Sequence, residues 1–191
     1  MLELINLAPV ASFMSVSTTQ SLDGIGVWGG GMAGGLVAGI AMGLVLHFGG
    51  NQIELLGGLA VEPELAVGAG WAIHLMISIV FGLVFAAIFS RGWIQQQVSD
   101  FSDYVIAGLA FGAIIGLFAG GVVFPIAMER AGVAALPMPF LPVPGPGPTA
   151  ELVSALVFGL GHLVYGLVLG AVFAAINGIA PRGVRERVPV R

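Results

Sequence analysis

No cysteine and no lysine occur in the 191 residues. The first absence removes disulfide frameworks, zinc-thiolate sites and iron-sulfur clusters, and with them any signal of redox compartment. The second leaves six arginines against ten acidic residues and a net charge of −4, which argues against a nucleic-acid surface. Charge of either sign is scarce: charged residues make up 8% of the chain, where a globular domain carries about 25%. Catalytic signatures are missing as well. There is no GxxxxGK[ST] phosphate loop, no HExxH and no GxSxG elbow, and strings resembling GxGxxG lie in apolar helical context. No polar stretch is long enough for a soluble catalytic domain, so the sequence names no catalytic residue.

What remains is oil and glycine. Hydrophobic residues make up 58% of the chain, mean hydropathy is +1.04, and there are 31 glycines and 11 prolines. Charge-free apolar runs long enough to cross about 30 Å of hydrocarbon, at about 1.5 Å per residue, fall at 27–48, 65–90, 104–128 and 152–180. The sequence therefore predicts an all-α membrane protein with four transmembrane helices over 27–180. Residues 1–26 read as an interfacial or loosely ordered lead-in, and 181–191 as a basic tail. Arg91 lies between the second and third runs, and Arg182, Arg185, Arg187 and Arg191 follow the fourth, while Arg130 alone lies on the opposite side. Positive residues in short loops are retained inside, so both termini are expected in the cytoplasm of a multi-pass cell-membrane protein. The stretches 49–64 and 129–151 then face outward, the second carrying a rigid proline-rich cap, LPMPFLPVPGPGPT.

The chain repeats itself. HLMISIVFGLVFAAI (74–88) and HLVYGLVLGAVFAAI (162–176) share nine of fifteen positions without a gap, and GGLVAGIAMGL (34–44) and AGLAFGAIIGL (107–117) share five of eleven. The fold class that follows is a duplicated helical hairpin, a parallel two-plus-two repeat. Inverted repeats, the usual sign of alternating access, are not seen.

Small residues recur every fourth position: Gly31, Gly35, Gly39 and Gly43 in the first run, Ser78, Gly82 and Ala86 in the second, Gly108, Gly112, Gly116 and Gly120 in the third, and Gly166 and Gly170 in the fourth. Helices in lipid associate through close backbone approach, so these stripes are read as packing faces of a small-residue bundle. The same spacing sets His47, His74 and His162 on or beside the stripes, all toward the outer leaflet, with Glu129 near the outer end of the third helix and Tyr165 at depth. Intramembrane ionisable groups point to function by default. Imidazoles at one level can ligate haem iron or another metal, relay protons or hydrogen-bond a quinone-like ligand. The plain alternative is that each caps a neighbouring helix, a bond worth about 0.6 kcal/mol. Trp28, Trp71, Trp93, Tyr104 and Phe140 are expected in the interfacial aromatic belt. Pro125 is expected to end or kink the third helix.

Taken together, GGLVAGIAMG, GWAIHLMISIVFGLVFAAI, FPIAMERAGVAALPMPFLP and ELVSALVFGLGHLVYGLVLGAVFAAINGI give the chain a resemblance, over residues 27–180, to small haloarchaeal four-helix membrane proteins of unestablished function. An acidic, lysine-free composition suits such a high-salt host. Proteins of that group often carry a histidine kinase label. The sequence gives it no support, holding neither a nucleotide-binding domain nor a cytoplasmic phospho-accepting helix. The leading expectation is a non-enzymatic accessory or self-associating bundle. It would meet the lipid bilayer, copies of itself or a larger membrane complex, without a cofactor. The alternative is a small haem- or metal-binding redox protein using His47, His74 and His162, and a small transporter or channel is the third reading.

Overall fold

The four apolar runs become four helices long enough to cross a membrane: Gly26–Gly50, Pro63–Phe89, Phe101–Arg130 and Pro148–Ile176, of 25, 27, 30 and 29 residues. At about 1.5 Å per residue each exceeds the hydrocarbon thickness of about 30 Å. A computed structural model describes residues 25–134, 136–137, 145–179 and 181. The lead-in 1–24, Phe140 and the four C-terminal arginines lie outside the described residues. The chain is an all-α membrane bundle.

The first helix, α1 (Ile25–Gly50), ends where Asn51 takes a left-handed conformation, φ 52°. Asparagine is one of the few residues that adopts this conformation at low cost. The turn sends the chain into a short helix, α2 (Gln52–Gly58), which lies against the start of α3 (Ala66–Phe89). The connecting segment 49–64 is thus folded back largely as helix and not a simple loop. Two glycines make this contact: Gly57 sits on the Ala66 carbonyl and Gly70 on the Ile53 carbonyl, so closely that a methyl group on either would strike backbone. A search for membrane-length runs is blind to a helix of seven residues.

On the opposite side α3 passes through a short turn, α4 (Gly92–Gln95), into α5 (Phe101–Phe118). The Asp103 carboxylate reaches back to accept the amides of Ser99 (3.1 Å) and Asp100 (3.0 Å), satisfying donors that a helix start leaves open. Pro125 does not end this span. Instead the backbone widens into a π-helical stretch, Ala119–Val123, and continues as α6 (Phe124–Arg130). A proline ring clashes with the carbonyl one turn earlier and offers no N–H, and a π turn absorbs both. The last helix, α7 (Pro148–Ile176), opens with proline, whose missing N–H costs nothing at a first helical position. It closes at Gly178 (φ 75°), with Ile179 N donating to Ala174 O at 2.9 Å and Gly178 N to Ala175 O at 3.1 Å. This glycine-capped stop lies short of residue 180 because only glycine takes the required φ cheaply.

In the bundle α1 packs between α3 and α7, and α7 between α1 and α5. The fourth side differs. There α3 and α5 meet through aromatic rings, with centroids 6.5 Å apart for Phe81–Phe111, 5.3 Å for Phe85–Phe111 and 6.3 Å for Phe89–Tyr104. Phe173 of α7 closes this core against Phe85 and Tyr104. Tyr104, expected at the interface belt, is therefore core, 1% exposed, whereas Trp28 and Trp93 are exposed.

Candidate functional site: the glycine seams and the imidazoles

Both hairpins are closed by glycine. A Cβ on Gly35 would stand 2.6 Å from Ser78 O and 3.1 Å from Gly82 Cα; one on Gly82 would meet Gly31 and Gly35 in return. In the second hairpin a Cβ on Gly108 would stand 3.0 Å from Gly170 Cα, and one on Gly112 would stand 2.9 Å from Gly166 Cα. These pairs occupy matching positions of the two repeats, so the packing of one hairpin recurs in the other. On another face of α1, Gly34 lies against Leu169 and Gly30 against Phe173, which lets α7 in beside it. The stripes thus pack helices of the same chain against one another.

The polar side chains are threaded into these seams. His74, buried in α3, donates through Nε2 to the carbonyl of Gly39 on α1 at 2.9 Å. Because a carbonyl only accepts, that nitrogen carries the ring hydrogen. One turn further along α3, the Ser78 carbonyl accepts the Tyr165 hydroxyl of α7 at 2.6 Å. One residue pair thus holds α1 to α3, and the next holds α7 to α3. His162 is buried too, but its Nδ1 donates to Phe158 O of its own helix at 2.9 Å. In membranes a serine or aromatic hydroxyl that found no partner would cost more than in water, and these polar groups are paired accordingly.

The three imidazoles occupy different surroundings. His47 and His74 stand on either side of the Trp71 indole, with ring centroids 6.0 Å and 6.2 Å from it. Trp71 is consequently half-buried against Gly43 and the histidines. His162 instead lines a groove of about 830 Å³ between α5, α6 and α7, whose walls include Gly116, Gly120, Gly121, Phe124, Phe158 and Gly159. Glu129, at the end of α6, is exposed. Among the described residues no three His, Cys, Asp or Glu side chains come together in a group able to hold a metal ion.

Gln52 is a residue that sequence reasoning passed over. It is 1% exposed; its Nε2 donates to Ser154 O at 2.8 Å, and the Ser154 hydroxyl donates to Pro137 O at 2.9 Å. This relay ties α2, the start of α7 and the connection around Pro137 together. A glutamine just past a helix end looks like a solvated loop residue, and nothing in the local pattern marks it as buried. Gln52 Oε1 and His47 Nδ1 are the buried side-chain atoms without a hydrogen-bond partner among the described residues.

Fold and site together define a small membrane bundle of two glycine-packed hairpins, joined by polar contacts between helices and carrying an apolar groove beside His162. No protein-family model, curated protein or solved structure matches the chain.

Proposed function

We propose that the chain is a non-enzymatic membrane scaffold, a rigid accessory bundle that works with copies of itself or within a larger membrane assembly. The observation that carries this reading is the pair of clamps, His74 to Gly39 and Tyr165 to Ser78, which commits the deep polar groups of three helices to backbone carbonyls of their neighbours. Groups committed in this way stiffen a bundle. The glycine stripes, used between helices of one chain, leave association with partners to the larger apolar side chains on the outer faces. A haem or metal bound jointly by His47, His74 and His162 has less support, since the described residues bring no three ligating groups together. Optical spectroscopy and elemental analysis of the detergent-purified protein test this directly. The scaffold reading expects no chromophore or transition metal near one per chain, and a stoichiometric haem or metal overturns it.

We also infer that both termini face the cytoplasm, because Arg91 and the four arginines after α7 outnumber Arg130 on the other side. The absence of native cysteine makes the test clean. A Glu62→Cys variant should react with an impermeant thiol reagent on intact cells, and a Gln96→Cys variant only after permeabilisation. The reverse pattern would invert the topology. The likeness to small haloarchaeal four-helix proteins fits this reading and adds no activity to it.

A further inference from the structure

In the register that pairs His74 with His162, Trp71 of the first repeat pairs with Gly159 of the second. The first repeat is filled at this point. The Trp71 ring lies over Gly43, where a Cβ would meet its Cη2 at 2.6 Å, and stands edge-on to His74, with an interplanar angle of 83°. The second repeat is not filled. Among the described residues a Cβ on Gly159 would meet nothing within 4 Å, and at Gly116, the partner of Gly43, the nearest side chain is that of His162. Further along, where α1 carries His47 and Phe48, the π-helical stretch after α5 carries Gly120 and Gly121, and among the described residues a Cβ on Gly121 would also meet nothing within 4 Å. The groove of about 830 Å³ is thus the place in the second hairpin that an indole occupies in the first.

The imidazole beside it has a defined polarity. Nδ1 of His162 donates to the Phe158 carbonyl, so the neutral ring keeps its lone pair on Nε2. Among the described residues that nitrogen makes no hydrogen bond, and His162 is 5% exposed. The adjacent Cδ2 lies against the groove wall, 3.4 Å from where a Gly116 Cβ would stand. Apart from the imidazole the lining is apolar, and Leu117, Leu156, Leu160 and Leu163 carry it outward along helix faces that meet the acyl chains.

We propose that this groove binds a lipid-soluble molecule with a planar aromatic head that bears one O–H or N–H donor and an apolar tail. The head takes the place of the missing indole, its donor bonds to His162 Nε2, and the tail follows the leucines into the bilayer. The complementarity is specific: the slot is shaped for a ring, its one polar atom accepts, and it opens to lipid. A cation gains nothing from a single imidazole without a carboxylate, and a second helix would need a longer clear face than the Phe124 and Phe158 rings leave.

The test uses the full chain in lipid nanodiscs with a decyl-substituted hydroquinone as probe and its dimethyl ether, which lacks the donor, as control. The hydroquinone should bind saturably at one per chain and shift the ¹⁵N resonance of His162 Nε2 while leaving the other two histidines unmoved. The ether should bind roughly tenfold more weakly, the effect of one lost hydrogen bond. Gly159→Trp, which rebuilds in the second repeat what the first already contains, should abolish binding, whereas Gly159→Ala should retain it. Equal affinity for probe and ether, an unmoved His162 resonance, or full binding by Gly159→Trp would each overturn the proposal. So would iron-porphyrin capture by His162 in preference to the hydroquinone. Should Gly159→Trp fail to fold, Gly159→Leu and the probe-ether comparison decide the matter in the same way.

Discussion

Gly82→Ala is the most informative single change, because the added methyl group has nowhere to go. Its Cβ would stand 2.7 Å from Gly35 Cα and 2.9 Å from Gly35 N, with the Gly31 carbonyl nearer still. Carbon atoms rest at about 3.5–4.0 Å, so α1 and α3 must part by roughly 1 Å. A gap of that size forfeits a quarter to a half of each dispersion contact along the seam, and membrane helices have little else to hold them together. Overpacking of this kind costs about 1–3 kcal/mol, offset by up to about 1 kcal/mol because alanine is the better helix former. Gly159→Ala has the same propensity gain and no clash, since nothing lies within 4 Å of its Cβ. The two variants should therefore differ by about 2 kcal/mol, more than a tenfold change in the folding equilibrium. Reversible unfolding by sodium dodecyl sulfate in mixed micelles, followed by circular dichroism, measures the difference. If Gly82→Ala is as stable as Gly159→Ala, the seam is not held by backbone approach and the packing argument fails.

Other changes probe the clamps and the cap. Tyr165→Phe removes the bond to Ser78 O, and the same unfolding assay should show a loss of about 0.6 kcal/mol, up to about 1.7 kcal/mol; an unchanged midpoint would mean that the hydroxyl holds nothing. His74→Ala should cost at least as much, because it also removes a ring that packs on Trp71, and Trp71 fluorescence should change with it. Asp103→Ala leaves the Ser99 and Asp100 amides without their acceptor and should lower stability by about 1 kcal/mol, with faster amide exchange confined to the start of α5. Exchange that is faster throughout the bundle would instead assign Asp103 a core role.

The fold was legible because lipid makes a demanding solvent. Backbone polar groups cannot be left unpaired in hydrocarbon, so long charge-free runs have few structures open to them, and the helix count follows from length alone. The four-residue spacing of Gly31, Gly35, Gly39 and Gly43 was legible for a similar reason: 3.6 residues per turn places them along one side, and only small residues admit a neighbouring backbone. What the pattern does not specify is which partner each stripe faces. Gly35 meets α3, while Gly34, its immediate neighbour, meets α7, and both look alike in sequence. Tyr104 was misread for a related reason. It lies near a helix end, where a belt position and a core position have the same spacing, and only the phenylalanines around it distinguish them. Hydrogen-bond partners were the least accessible part. His74 and His162 open matching stretches of the repeat, nine of fifteen positions alike, yet one reaches across to α1 and the other back along its own helix.

That divergence between two matching histidines follows what surrounds them. Beside His74 an indole fills the space and the ring turns its donor to Gly39, so both the volume and the hydrogen of the first site are committed within the chain. Beside His162 glycine replaces the indole, the donor turns to Phe158 of the same helix, and an open volume adjoins the ring. A repeat that served packing alone would gain from the same filling in both halves, since an unfilled gap loses dispersion contacts that membrane helices need. The second half keeps the gap against that gain, beside a buried imidazole. Structural duplication thus accounts for the bundle, and the departure from duplication marks the position where the bundle meets something other than itself.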